Sequence, residues 1–146
     1  MVVVVTSGGF DPLHVGHIEY LTSAKRVTHA NLHICIVNND EFLLRKKGYV
    51  FMKMKERERI IRYIKGVDYV WHSVDEDDTV CTSLTQIRKT FPTAKIIFAK
   101  GGDRDITNTP EYSLCKELNI IFEDGLGQKI QSSSELVEHA MEAKHG

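Results

Sequence analysis

The stretch VVVVTSGGFDPLHVGH, residues 2–17, joins an apolar run to a glycine pair and two histidines. The four valines at 2–5 do not alternate with polar residues, which predicts a strand that is buried on both faces. Apolar residues then recur at helical spacing behind Gly16, at Ile18, Leu21, Ala24 and Val27. A buried strand, a tight glycine-containing loop and a helix are the opening of a βαβ unit in a parallel sheet.

The alternation of strand and helix patterns continues along the chain. Further strands are predicted at 32–37, 68–72, 94–99 and 120–122. Further helices are predicted at 40–44, 55–65, 79–91, from Thr109 onward, and 133–143. The pattern predicts one α/β domain over residues 1–146: a doubly wound, Rossmann-like, five-stranded parallel sheet with helices on both faces. In such sheets, ligands bind beyond the carboxyl ends of the strands.

The composition excludes several other classes of protein. The chain has 146 residues, of which 42% are hydrophobic and 27% are charged, and a net charge of −1, so disorder and coiled coil are not expected. Three widely spaced cysteines without a C-x-x-C pair predict neither a disulfide framework nor a zinc site. The valine run is too short for a signal peptide, and no segment approaches the roughly 18 apolar residues of a membrane span. We expect a cytoplasmic protein.

The loop between the first strand and the first helix has the features of a phosphate site. Gly8 and Gly9 let the backbone turn sharply and approach a ligand, and the helix behind offers free N–H groups and a positive dipole end. His14 and His17 are three residues apart, so both rings point the same way. The common dinucleotide and P-loop glycine patterns are absent, and no third ligand suggests a metal. Either histidine alone would fit an ordinary turn, whereas the pair in this loop favours phosphate binding.

The segment GGFDPLHVGH closely resembles the H-x-G-H motif of the cytidylyltransferase-like nucleotidyltransferase superfamily, and the resemblance extends over nearly the whole chain. In that family, the histidines and the glycine turn hold a nucleoside triphosphate. The resemblance therefore implies catalytic roles for His14 and His17. It implies nucleotide contacts at Gly8, Gly9, Phe10, Asp11 and Gly16. The most similar branches are heptose 1-phosphate adenylyltransferase and glycerol-3-phosphate cytidylyltransferase.

Residues 45–65 contain nine basic side chains against two acidic ones. A solvated helix with ion pairs would explain much of this charge, and a clamp on a polyanion would explain the rest. Lys46-Lys47-Gly48 resembles the family's mobile lysine loop, which closes over the phosphates. Arg57 resembles an arginine that opens the next helix and contacts the substrates. The resemblance implies that Lys46, with Lys47 as the alternative, and Arg57 are catalytic.

Two later loops complete the predicted nucleotide site. The run KGGD at 100–103 resembles the heptose-phosphate branch, which implies nucleotide contacts at Lys100, Gly102 and Asp103. The run IQSSSEL at 130–136 fits a helix capping box and also resembles the family's I-S-S/T-T motif. That second resemblance implies triphosphate contacts at Ser132, Ser133 and Ser134. Some relatives carry an arginine upstream of this motif, where the chain has FED at 122–124, and Lys129 or Arg104 are the candidates to replace it.

The implied reaction is nucleotidyl transfer. A phosphate oxygen of a small molecule attacks the α-phosphorus of ATP or CTP and releases pyrophosphate, which needs positioning and charge stabilisation but no protein nucleophile. Mg²⁺ would arrive with the nucleotide, and no metal ligands are predicted in the protein. The acceptor suggested by the resemblance is a sugar phosphate such as heptose 1-phosphate, in lipopolysaccharide core biosynthesis, with ATP favoured over CTP. Glycerol-3-phosphate cytidylyltransferase and FAD synthetase are alternatives.

Two functions of other classes also remain. The basic segment could bind nucleic acid, although no aromatic stacking platform accompanies it and the H-x-G-H loop would be left unexplained. The chain could also be a nucleotide sensor that binds ATP without turnover. We predict no nucleic-acid or membrane partner, and the resemblance implies a homodimer.

Overall fold

The computed structural model describes residues 1–101, 109–123, 126 and 140–141. Its strands are β1 (Val2–Gly8), β2 (Leu32–Val37), β3 (Tyr69–His72), β4 (Lys95–Ala99) and β5 (Ile121–Glu123). Its helices are α1 (Val15–Thr28), α2 (Asp40–Lys47), α3 (Met54–Arg62), α4 (Cys81–Thr90) and α5 (Pro110–Glu117). All five predicted strands are confirmed within a residue or two, except that β1 runs on to Gly8. The helix predicted at 133–143 lies outside the described residues apart from 140–141.

The five strands form one parallel sheet in the order β3-β2-β1-β4-β5. The chain proceeds from β1 outward to β3 on one side and then crosses to β4 and β5 on the other. The strand order therefore reverses between β1 and β4, which confirms the doubly wound architecture. The crevice outside the carboxyl ends of these two strands is the place where such folds bind ligands.

The sheet is covered by helices on both faces. Val3 and Val5 pack in a core with side chains of α4 and α5, whereas Val4 packs in a second core with α1 and α3. The first valines thus alternate between two apolar layers, which is why the sequence shows no alternation of apolar and polar residues. The free thiols of Cys35 and Cys115 are buried in these cores as small apolar groups.

The predicted apolar stripe of α1 is only half right. Leu21 and Ala24 are buried, but Ile18 and Val27 are 47% and 49% exposed. Tyr20 takes a buried place instead, because its hydroxyl finds hydrogen-bond partners at the edge of the sheet. The buried face of α1 is therefore rotated toward Tyr20 and away from Ile18.

Both ends of α2 are set by short-range interactions. The N-cap is Asn39, whose Oδ1 accepts from the backbone N–H of Phe42 at 2.8 Å, and not Asp40 as predicted. Asp40 is thereby left for a long-range ion pair. The predicted end at Gly48 is confirmed, and its φ of 83° is a left-handed conformation that glycine adopts without strain.

Among the described residues, no helix is both long and apolar enough to cross a membrane.

Candidate active site

The glycine pair at the end of β1 is required by close packing. A Cβ at Gly8 would lie 2.8 Å from Cζ of Phe10, and a Cβ at Gly9 would lie 2.9 Å from Cδ2 of Leu43 in α2. Phe10 itself is 2% exposed and has a φ of 53°, so its ring folds back beneath the turn. The turn therefore presents bare backbone at the crevice. The predicted contact of these residues with a nucleotide stays a prediction.

His14 and His17 form a stacked pair at the start of α1. Their ring centroids are 3.8 Å apart with an interplanar angle of 22°, which confirms that both rings lie on one side. His14 is the N-cap, and its Nδ1 accepts from the backbone N–H of Gly16 at 3.1 Å. The Nδ1 of His17 accepts from the backbone N–H of His14 at 3.3 Å. In the neutral rings the proton therefore sits on Nε2, so both rings carry an N–H donor suited to a phosphate oxygen.

His17 is held in the neutral form. Its pKa is lowered to about 3, mainly by burial and further by the charges of His14 and Lys47. The ring of Phe10 meets it edge-on, with centroids 5.1 Å apart. At neutral pH, His17 is therefore a neutral hydrogen-bond donor and not a cation.

The structure brings Lys47, and not Lys46, to the histidine pair. The Nζ of Lys47 donates to the backbone carbonyl of Asp11 at 2.6 Å and lies 3.7 Å from its carboxylate. Lys47 also stands over the ring of Tyr49, and its charge reaches His17. Lys46 is exposed, with its Nζ 5.9 Å from the centre of the Phe42 ring. Lys47, the alternative to Lys46 in the sequence-based prediction, is thus the lysine beside the histidine pair.

Asp11 fastens the segment between α2 and α3 to the β1–α1 loop. Its carboxylate is 1% exposed and accepts from the backbone N–H groups of Phe51 at 2.7 Å and Met52 at 2.5 Å. Both carboxylate oxygens are therefore engaged by the protein. Its direct contact with a nucleotide stays a prediction, and the structure shows a positioning role.

Arg57 is completely buried, and it joins three segments at the carboxyl edge of the sheet. Its Nη1 donates to the carbonyls of Gly9 and Asn38, both at 2.7 Å. Its Nε donates to the carbonyl of Met52 at 2.9 Å, and its Nη2 to Oδ1 of Asp40 at 2.6 Å. Four of its five N–H bonds are thereby used within the protein. The predicted contact with substrate stays a prediction, while bracing of the loops is what the geometry shows.

Tyr20 is a residue of the site that the sequence analysis missed. Its hydroxyl donates to the carbonyl of Ala99 at 2.5 Å and accepts from the backbone N–H of Ser7 at 3.2 Å. It thus bridges the ends of β1 and β4 across the switch point, and burial raises its pKa far above the usual value. A Cβ at Gly101 would lie 3.2 Å from its ring. The sequence feature that could have identified Tyr20 is its spacing of three residues from His17, which places both on the same face of α1.

The loops after β4 and β5 are only partly described. The backbone N–H of Lys100 donates to Glu123 at 2.8 Å, and its carbonyl accepts from Leu126 at 3.1 Å, so Lys100 begins the loop at the edge of the crevice. Its Nζ lies 5.9 Å from the centre of the Phe98 ring. The remaining predicted residues lie outside the described residues: Gly102, Asp103, Arg104, Lys129, Ser132, Ser133 and Ser134. Within the described ranges, no group of three or more His, Cys, Asp or Glu side chains could hold a metal.

The site thus combines a glycine turn, the start of a helix, two Nε2–H donors and a lysine at the switch point of a parallel sheet. These features lie where doubly wound α/β sheets bind ligands, and they are suited to phosphate groups. The chain belongs to the cytidylyltransferase-like family, whose model matches residues 5–134.

Three known proteins show the range of the similarity. The chain is 36% identical over 118 residues to the bifunctional protein HldE of Syntrophotalea carbinolica, covering 80% of the chain but 21% of that protein. The crystal structure of the lipopolysaccharide core biosynthesis protein of Thermoplasma volcanium matches with a TM-score of 0.58 and 25% identity, covering 86% of the chain and 94% of that protein. A protein of Vibrio parahaemolyticus assigned as a nicotinate-nucleotide adenylyltransferase has a TM-score of 0.63 at 15% identity, covering 97% and 82%, and supports the fold alone. The chain spans about a fifth of the length of its HldE relative.

Proposed function

We propose that this chain transfers a nucleotidyl group, with AMP from ATP favoured, onto the phosphate of a sugar phosphate such as heptose 1-phosphate. The observation that carries the reaction class is the stacked histidine pair, with both Nδ1 atoms satisfied by backbone N–H groups at the start of α1. The likeness to the HldE protein and to the lipopolysaccharide core biosynthesis protein supports the sugar-phosphate acceptor.

In the proposed reaction, a phosphate oxygen of the acceptor attacks the α-phosphorus of the nucleotide. The bond from that phosphorus to the bridging oxygen breaks, and pyrophosphate leaves with the electron pair. The Nε2–H groups of His14 and His17 donate hydrogen bonds to the phosphate oxygens, where negative charge must be stabilised. Because His17 stays neutral, its contribution does not depend on protonation near pH 7.

Lys47 supplies positive charge next to the histidines. Its side chain is 18% exposed, and its ammonium group is bound to Asp11. A polyanion entering the crevice competes with the carbonyl and the carboxylate of Asp11 for this cation, because charge-assisted bonds to phosphate are strong. We propose Lys47 as the phosphate ligand of the lysine loop, with Asp11 and Arg57 as positioning residues behind it.

Mg²⁺ enters this proposal as the partner of the nucleotide phosphates. Both carboxylate oxygens of Asp11 are occupied by backbone N–H groups, and the neighbouring groups are imidazoles and an ammonium. This set suits phosphate oxygens and leaves the coordination of Mg²⁺ to the nucleotide and water, as is common for this ion. When bound, Mg²⁺ would neutralise triphosphate charge, while the described side chains hold and orient the phosphates.

The test is pyrophosphate release with Mg²⁺, crossing ATP and CTP against heptose 1-phosphate, glycerol 3-phosphate and flavin mononucleotide. We expect a signal with ATP and heptose 1-phosphate. A signal in another combination would keep the reaction and correct the substrates, toward a glycerol-3-phosphate cytidylyltransferase or an FAD synthetase. Nucleotide binding without any release would favour a sensor, and the absence of nucleotide binding would overturn the proposal.

A further inference from the structure

Asn38 is a buried polar residue at the carboxyl edge of the sheet that the reaction described above does not use. It follows directly after β2 and is 7% exposed. Its Oδ1 is fully buried, and it is the one buried side-chain oxygen or nitrogen without a hydrogen-bond partner among the described residues. Native proteins satisfy nearly all such atoms, so an exception at a ligand crevice calls for a functional explanation.

The main chain of Asn38 is fixed to the glycine turn. Its N–H donates to the carbonyl of Gly8 at 3.0 Å, and its carbonyl accepts from Arg57, whose same nitrogen also donates to Gly9. A displacement of Asn38 would therefore disturb the β1–α1 loop. The buried oxygen is held at a constant place relative to the phosphate-binding turn.

The next residue provides an internal comparison. Asn39 has the same side chain, but its Oδ1 accepts from Phe42 at 2.8 Å and its Nδ2 donates to the carbonyl of Asp75 at 3.0 Å. Its role as the cap of α2 is therefore structural. Asn38 has no corresponding use for its oxygen within the described part of the chain.

The sheet order places Asn38 away from part of the proposed nucleotide site. The loops that follow β4 and β5, which carry several of the proposed nucleotide contacts, begin on one side of β1, whereas β2 lies on the other side. Asn38 and the end of α2, which carries Lys47, therefore border the part of the edge that the nucleotide leaves for the acceptor. The ammonium group of Lys47 suits a phosphate group, whereas the Asn38 oxygen suits a hydrogen-bond donor.

We infer that Oδ1 of Asn38 accepts a hydrogen bond from a hydroxyl group of the acceptor, which is a hydroxylated phosphate ester of the sugar or polyol type. An amide oxygen only accepts, and so do the oxygens of an ionised phosphate, so the ligand atom opposite Asn38 must be a hydrogen-bond donor, and on a sugar or polyol phosphate that donor is a hydroxyl group. This inference rests on the proposed function and adds the specificity of its second substrate. A site built to bind a hydroxyl group discriminates strongly against an analogue that lacks it.

The test compares ligands with and without hydroxyl groups on three proteins. The affinities of heptose 1-phosphate, mannose 1-phosphate, glycerol 3-phosphate and propyl phosphate are measured calorimetrically on the wild type, Asn38→Leu and Asn39→Ala. We expect the wild type to bind at least one hydroxylated phosphate roughly tenfold more tightly than propyl phosphate, which corresponds to one hydrogen bond. Asn38→Leu should lose most of this preference without a lower melting temperature, whereas Asn39→Ala should melt at a lower temperature because the cap is lost.

Three results would overturn the inference: no preference in the wild type, a preference that survives in Asn38→Leu, or a melting temperature of Asn38→Leu as low as that of Asn39→Ala. Where leucine prevents folding, Asn38→Ala is measured in the same way, and failure of both to fold would also overturn it, since the role would then be structural. Pyrophosphate release by the wild type is recorded separately. Release with an acceptor that lacks hydroxyl groups would retain the proposed function and remove only the role of Asn38.

Discussion

At the scale of single residues, His17 acts through a donated hydrogen bond and not through charge. Its Nδ1 is engaged by the backbone of His14, and its pKa of about 3 keeps the ring neutral. Replacing it by alanine removes one Nε2–H donor, and we expect kcat for pyrophosphate release to fall by roughly 10²–10³, as for other lost donors to developing charge. Steady-state kinetics checks this, with the melting temperature as a control for folding. An Ala variant with the wild-type rate would refute the assignment.

We expect substitutions of the two neighbouring lysines to differ in their effect on catalysis. Lys47 contacts Asp11 and influences His17, whereas Lys46 is exposed over the ring of Phe42. We expect Lys47→Met to lower kcat/KM for the nucleotide by about 10², since a charge-assisted contact to phosphate is lost. Lys46→Met, the matched control, should change it less than about threefold. The reverse order would restore Lys46 as the phosphate ligand.

At the scale of the elements, Arg57 of α3 connects the segments that follow β1 and β2 through its hydrogen bonds. Substitution by methionine leaves the carbonyls of Gly9 and Asn38 and the carboxylate of Asp40 without their donor. We expect the free energy of unfolding to fall by about 3–5 kcal/mol, as when one partner of a buried ion pair is removed. Urea unfolding measures this change.

The control for Arg57 lies half a turn further along the same helix. Arg59 is exposed, so Arg59→Met should change the free energy of unfolding by no more than about 0.5 kcal/mol. Equal losses in the two variants would show that the effect comes from α3 itself, and not from the hydrogen bonds of Arg57.

The order of the elements was predictable from the sequence because each strand and helix carries its own local signal. The apolar run at 2–5, the helix stop at Gly48 and the histidine spacing all depend on neighbours within one or two turns, and each is confirmed. The burial of Arg57 and the bridge formed by Tyr20 were not predictable in this way. They depend on contacts between loops far apart in the chain, which arise only after the sheet has assembled. The resemblance that assigned Arg57 to substrate contact says nothing of these internal hydrogen bonds, and the substrate contact itself stays a prediction.

At the scale of the whole molecule, buried histidines make stability depend on pH. The side chain of His33 is fully buried between β1 and the turn before β3: its Nε2 contacts Oγ1 of Thr6 at 2.7 Å and its Nδ1 contacts the carbonyl of Gly66 at 2.9 Å. Since a carbonyl only accepts, Nδ1 carries the proton and Nε2 accepts from the hydroxyl of Thr6. Burial lowers the pKa of His33 below its usual 6.5, as it does for His17.

The sign of the pH effect follows from this. Both histidines bind protons more readily in the unfolded chain than in the native protein, so their stabilisation is present above about pH 6.5 and is lost as the pH falls toward the native pKa values. Burial raises the pKa of Asp68, but the hydrogen bonds that it accepts from His33 and Lys25, together with their charges, outweigh burial and lower the native pKa, so its contribution is lost only below the ordinary value of 3.8. We expect the free energy of unfolding to fall between pH 7 and 5, before the carboxylates titrate. Urea unfolding at pH 7, 6 and 5 measures the slope, and His17→Gln should reduce it because a titrating group is removed. A slope that is identical in His17→Gln would mean that the pKa of His17 is not lowered in the native protein, and would contradict its role as a donor that stays neutral as the pH falls.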